Sequence, residues 1–171
     1  MGTTETKKMR VGVVGCGAIS DIYLTNMIHN FENLEVAACC AGHLEHAKKK
    51  AEQYGIKGCT YEEILADPSI EMVVILTPAP THEGLIRQAL EAGKQVAMVT
   101  LGDVSVYSTA TYVRQILAEK GYATQVIAGI PSFCAGAASA QYSLCENGES
   151  LLVLPGITAQ AEIEAALAQF E

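Results

Sequence analysis

Tryptophan is absent from this chain of 171 residues, and aromatics make up only 6% of it. A core built from it must be aliphatic. The supply is ample, because half the residues are hydrophobic, enough for one sizeable domain. Basic residues are also scarce, with 11 Lys and Arg against 19 Asp and Glu, a formal net charge of −8. So acidic a balance argues against nucleic acid and anionic membranes as partners. Two short basic runs stand out. "KKMR" (7–10) reads as a solvated N-terminal arm, and "AKKK" (47–50) as the solvent face of a helix.

The six cysteines, at 16, 39, 40, 59, 134 and 145, form no CxxC pair. None has zinc-ligand spacing with a histidine, so no metal site is expected. They read as small buried hydrophobes in a reducing cytosol. Cys39 and Cys40 are neighbours in an expected strand and should point to opposite faces. No apolar run has the length to span a membrane, and no signal peptide is read at the start. The expectation is a soluble, cytoplasmic protein, and homodimerisation is left open.

What the chain does have is regular alternation. Strands are expected at 10–15, 34–40, 58–61, 71–77, 95–100, 123–129 and 150–156. Helices are expected at 17–31, 44–55, 81–93, 106–121, 132–140 and 158–170, with a helical turn in "EEILAD". Thr81 and Thr158 are expected N-caps, while Gly55 and Gly93 close their helices. Such alternation predicts an α/β fold, a doubly wound, mostly parallel sheet with helices on both faces, in a single domain over 1–171.

"VGVVGCGAIS" sets Gly15, Gly17 and Ser20 as G-x-G-x-x-S between the first strand and the first helix. Gly15 permits a tight turn, and Gly17 lets the backbone approach a pyrophosphate. The residues Gly15, Gly17, Ala18, Ile19 and Ser20 would then face the anion at a helix start, in a Rossmann-like arrangement. A carboxylate for the adenosine ribose is wanted after the second strand, where Ala41, Gly42 and His43 stand instead. Glu45 lies further along the helix. His43 or Lys48 would favour a 2′-phosphate.

With "YEEILADPSIE" and "TPAPTHEGLIRQALEAGK" added, residues 9–94 resemble the nucleotide-binding domain of the glucose–fructose oxidoreductase and inositol dehydrogenase family (Gfo/Idh/MocA). The resemblance implies NAD or NADP as cofactor, with Thr77, Pro78 and His82 lining it. It also implies a Glu-Lys-Pro segment carrying a catalytic lysine after "EAGK". Here "QVAMVTLGDVSVYST" follows, so no catalytic residue is assigned.

From about residue 92 the chain is similar instead to the tetrapyrrole methylases, most closely the precorrin-2 C20-methyltransferases of cobalamin synthesis. The matching residues are Gly102, Asp103, Ser105, Tyr107, Ser108 and Thr109, then Gly129, Ile130, Ser132 and Phe133. Val104 and Ala128 replace prolines of that pattern. The resemblance implies that the first group lines an S-adenosylmethionine site. From the residues alone, Asp103 and Ser105 read equally as helix caps.

The two signatures meet near "LEAGKQVAMVT", dividing the chain into 1–94 and 95–171. The expectation is a recombined or engineered chimera, without sugar or polyol oxidation or precorrin methylation, that retains weak NAD(P) binding. The alternatives are a dinucleotide-binding module and a methyltransferase fragment.

Overall fold

The computed structural model describes residues 7–169. These divide into two compact units. One holds the described residues up to Val99 together with Tyr112–Thr124, the other Thr100–Thr111 together with those from Gln125 onward.

The first unit contains a sheet of five parallel strands, β1 (Met9–Val14), β2 (Leu34–Cys40), β3 (Lys57–Gly58), β4 (Met72–Ile75) and β5 (Gln95–Met98), in the order β3-β2-β1-β4-β5. β1 is central and its last four residues are buried, as a strand covered on both faces requires. β5 pairs with β4 from Met72↔Gln95 to Ile75↔Met98. One hydrogen-bonded sheet therefore contains strands from both sides of residue 94, as the alternation predicted.

The helices of this unit are α1 (Ser20–His29), α2 (Leu44–Tyr54), α3 (Tyr61–Ala66) and α4 (His82–Glu91), with α5 (Ala110–Glu119) bridging the division of the chain. Gly55 ends α2 in the left-handed region, at φ +66°. α3 is only six residues long and starts with a reciprocal cap. The Glu63 N–H donates to Thr60 Oγ1 at 3.2 Å, and the Thr60 N–H donates to Glu63 Oε2 at 2.8 Å.

Period-two alternation along the strands builds a core on each sheet face. Val14, Cys40, Val73 and Ile75 pack with Ile64 of α3, Ile86 and Ala89 of α4, and Leu117 of α5. Val13, Cys39 and Val74 pack with Leu24 and Met27 of α1 and Ala51 of α2. Cys39 and Cys40 thus do face opposite ways. Burying a side chain such as Ile64 stabilises by roughly 1.5–3 kcal/mol.

The second unit departs from expectation. It contains α6 (Ser132–Ala140) and α7 (Gln160–Leu167), but no strand forms at 123–129 or 150–156. Leu151, Leu152, Ile127 and Ile130 are exposed. A strand is stable only when its main-chain groups meet a partner ladder, and apolar, β-branched composition cannot supply one.

Smaller expectations also change. Met9 and Arg10 belong to β1, and Lys7 pairs with Glu71 at 2.9 Å, so "KKMR" is no free arm. Lys48 and Lys49 are exposed, but Lys50 is largely covered and pairs with Asp21 at 2.6 Å. α5 starts at Ala110, not 106. α7 starts after Ala159, not Thr158, whose hydroxyl donates back to the Pro155 carbonyl at 2.7 Å. The expected end of that helix at Phe170 lies outside the described residues.

Candidate functional site

In the first unit the sheet order reverses between β1 and β4, and the carboxyl ends of β1, β2 and β4 face one region. In open α/β sheets ligands bind at such a switch point. Gly15 leaves β1 at φ +110° and its N–H donates to the Cys40 carbonyl at 2.9 Å. A Cβ there would lie 2.9 Å from the Leu76 carbonyl carbon, so only glycine fits between the strand ends. Ser20 is fully buried, and both its N–H and its hydroxyl donate to the Gly17 carbonyl, at 3.0 and 2.6 Å. Sequence reasoning set Ser20 among the residues that face the anion. In the structure Ser20 closes the turn.

Gly17, Ala18 and Ile19 are exposed, and a Cβ on Gly17 would meet nothing within 4 Å. No side chain caps the start of α1. The turn therefore presents open space before a helix N-terminus, where main-chain N–H groups and the helix dipole favour an anion.

Thr77, Pro78 and His82 follow β4, and a 3-10 turn over Ala79–Thr81 leads into α4. His82 Nε2 is hydrogen-bonded to the Thr77 carbonyl, while its Nδ1 is buried and has no partner. Thr81 occupies the N-cap position without capping. Its hydroxyl donates to the Pro78 carbonyl at 2.8 Å and is hydrogen-bonded to Thr77 Oγ1 at 2.7 Å.

The end of β2 carries no carboxylate. Ala41, Gly42 and His43 stand there, with Gly42 and His43 exposed. Glu45 is engaged with Lys48 Nζ at 3.0 Å. His43 holds the N-cap position of α2 without a capping bond, and its ring meets that of His46 edge-on at 5.5 Å between centroids.

In the second unit the Gly102–Thr109 segment is a closed loop. Asp103 is the one buried residue among those described there. It accepts from the Ser105 hydroxyl, from the Ser105 N–H at 2.8 Å and from the Gly129 N–H at 2.7 Å. Chiefly through the Ser105 hydroxyl, then these N–H groups, its carboxyl is held below the usual carboxylate range. Asp103 and Ser105 are thus not helix caps. Their hydrogen bonds tie two matched segments together.

A side chain on Gly129 would overlap the Gly102 carbonyl, so the approach needs glycine. Tyr107 sits at φ +48° with its hydroxyl donating to the Val153 carbonyl at 2.8 Å. Ser108 Oγ accepts the Ala110 N–H at 3.2 Å and so supports the start of α5, while Thr109 is exposed. The contact between 102–105 and Gly129 was not foreseen, because it joins positions far apart in sequence.

Sheet order, glycine turn and two-faced core define an α/β protein of the Rossmann type. The chain belongs to the tetrapyrrole (corrin/porphyrin) methylase family, whose family model matches residues 40–171. It is 37% identical over 73 residues to a probable cobalt-precorrin-2 C(20)-methyltransferase of Methanocaldococcus jannaschii, covering 43% of this chain and 32% of that protein. It is also 32% identical over 93 residues to an inositol 2-dehydrogenase/D-chiro-inositol 3-dehydrogenase of Lactiplantibacillus plantarum, covering 53% and 27%.

Among solved structures, a 3-ketoreductase from Actinomadura kijaniata in complex with NADP and TDP-benzene is similar at a TM-score of 0.54 and 27% identity, covering 67% of this chain and 35% of that one. The chain thus spans about a third of the length of the curated relatives it matches. No helix among the described residues is long and apolar enough to cross a membrane.

Proposed function

We propose that the chain is a chimeric Rossmann-like scaffold whose remaining capacity is weak binding of NAD or NADP at the Gly15–Ser20 turn. One observation carries this reading. Gly17, Ala18 and Ile19 stand exposed before an uncapped helix at the switch point, in a turn that Gly15 alone can make. The pyrophosphate fits that turn. His82 Nδ1, buried without a partner, is a further polar group beside the same strand ends. The adenosine end fits less well, because Ala41 and Gly42 offer the ribose no acceptor. The 3-ketoreductase relative is described with NADP, and His43 and Lys48 suit a 2′-phosphate better than a bare ribose.

Sugar or polyol oxidation and precorrin methylation are not expected of this chain. "LGDVSVYST" stands where the dehydrogenase-like half would need its catalytic lysine. Methyl transfer demands a sulfonium aimed at a bound acceptor, and Asp103 is committed to Ser105 and Gly129. Family membership keeps one second reading in play, S-adenosylmethionine binding at Gly102–Thr109.

A thermal-shift comparison of NAD, NADP and S-adenosylmethionine separates the two. A ligand at a hundred times its Kd adds about 2.7 kcal/mol. A shift with NAD or NADP that disappears in Gly17→Val supports the first reading. A shift with S-adenosylmethionine alone supports the second, and no shift with any of the three refutes both binding readings.

A further inference from the structure

Asn147 is the one asparagine of the chain that glycine follows, whereas Asn26, Asn30 and Asn33 precede Met27, Phe31 and Leu34. It stands in a stretch, 141–154, whose residues are all exposed. Residues 146–149 form a turn. The Glu149 N–H donates to the Glu146 carbonyl at 3.0 Å, and the Glu146 N–H donates to Glu149 Oε2 at 2.7 Å. Gly148 holds the third position at φ +89°, a conformation that favours glycine. Among the described residues, neither the Asn147 side-chain amide nor the Gly148 N–H has a hydrogen-bond partner. With no buried side chain to hold it, this turn belongs to the parts of a fold that open most readily. The other asparagines are held. Asn30 Nδ2 donates to Asn26 Oδ1 at 2.6 Å at the end of α1, and the Asn33 carbonyl accepts the Met9 N–H at 2.9 Å.

We propose that Asn147 is a site of spontaneous deamidation, in which the turn supplies the nucleophile and water is the co-reactant. When the turn opens, the Gly148 nitrogen gives up its proton to solvent base and attacks Asn147 Cγ. The two groups belong to adjoining residues, so the attack is intramolecular and needs no binding step. A bond forms between that nitrogen and Cγ. The bond from Cγ to Nδ2 breaks, and Nδ2 takes up a proton and leaves as ammonia. A five-membered succinimide remains. Water then opens the ring at Cγ, giving aspartate, or at the Asn147 main-chain carbonyl, giving isoaspartate. One amide and one water thus give one acid and one ammonia, with no oxidation or reduction. Glycine matters because it sets no side chain beside the attacking nitrogen and lets the backbone turn toward Cγ. The product adds one negative charge to a chain already at −8, and places it between the carboxylates of Glu146 and Glu149.

The experiment incubates the full, folded chain in mildly alkaline buffer, digests it at acid pH and follows each asparagine by mass spectrometry. A synthetic peptide spanning 142–150 runs beside it as the unrestrained reference. Asn147 should convert to a mixture of isoaspartate and aspartate, at a rate within severalfold of the peptide's. Asn26, Asn30 and Asn33 should keep their amides over the same period. Asn147→Gln should lose the reaction, because its attack would close a larger ring, and Gly148→Ala should slow it severalfold or more. Both substitutions lie in the exposed turn, outside the sheet. An Asn147 amide that stays intact in the chain while the peptide converts overturns the proposal. So does aspartate without isoaspartate, which marks direct hydrolysis rather than a succinimide. Conversion of Asn26, Asn30 or Asn33 as fast as Asn147 overturns it as well.

Discussion

The ammonium of Lys94 donates to the main-chain carbonyls of Asp67 and Ile70, at 2.6 and 2.9 Å. Lys94 is buried, and it joins the segment before β5 to the turn before β4. It is a structural cation in the middle of the stretch where the two family signatures meet. Lys94→Met should keep the side-chain bulk and leave both carbonyls without this donor. Such a loss costs roughly 1–3 kcal/mol. Urea unfolding should show a lower midpoint, and an unchanged midpoint would remove Lys94 from the account.

The two turn glycines should respond in opposite ways. Gly15→Ala forces a Cβ against the Leu76 main chain at φ +110°, so stability should fall by about 1–3 kcal/mol. Gly17→Val points into open space, so stability should hold while any NAD(P) thermal shift is lost. Equal NADP binding by Gly17→Val and the parent, measured by calorimetry, would reduce the motif to a turn.

Cofactor affinity should be poor, with a Kd on the order of 0.1–1 mM, or roughly −5.5 to −4 kcal/mol. Ala41→Asp supplies the missing acceptor at the end of β2. A charge-assisted hydrogen bond contributes about 1.5–3 kcal/mol, so NAD binding should tighten roughly tenfold or more, with NADP disfavoured. Paired titrations of the two cofactors check the direction. A variant that gains nothing for NAD places the ribose elsewhere.

Asp103 predicts an acid limb. Its folded pKa is lowered, so the stability it contributes is present above the unfolded carboxylate value of about 3.9. That contribution is lost as pH falls through the lowered folded value. The Asp103 carboxyl resonance should titrate below the ordinary range and should move toward it in Ser105→Ala, which removes the largest cause. Titration at or above the ordinary value would mean that the closed loop does not form in solution.

The sheet was readable because its signals are local. Gly15 ends an apolar strand, "EEILAD" marks a helical turn, and Cys39 and Cys40 alternate between two faces. Thr77, Pro78 and His82 could be placed after β4 for the same reason. The failures come from pairing. "ATQVIAG" and "SLLVL" have strand composition, but only a neighbouring strand makes a ladder, and no local pattern specifies one. Thr158 has the composition of a cap, yet its hydroxyl turns back to the Pro155 carbonyl. Asp103 was read as a cofactor-lining residue or a helix cap, but its bond to Gly129 required the chain to fold back.

The distribution of buried side chains also bears on how the chain melts. Both aliphatic cores lie in the first unit, and the described residues of the second bury none of their hydrophobic side chains. The heat-capacity increment and denaturant sensitivity of unfolding scale with newly hydrated surface. Both should therefore come almost wholly from the sheet and its helices. Loss of order around Asp103 should register as a nearly athermal event in calorimetry, visible to a local probe such as amide exchange at Gly129 and nearly silent in the heat signal.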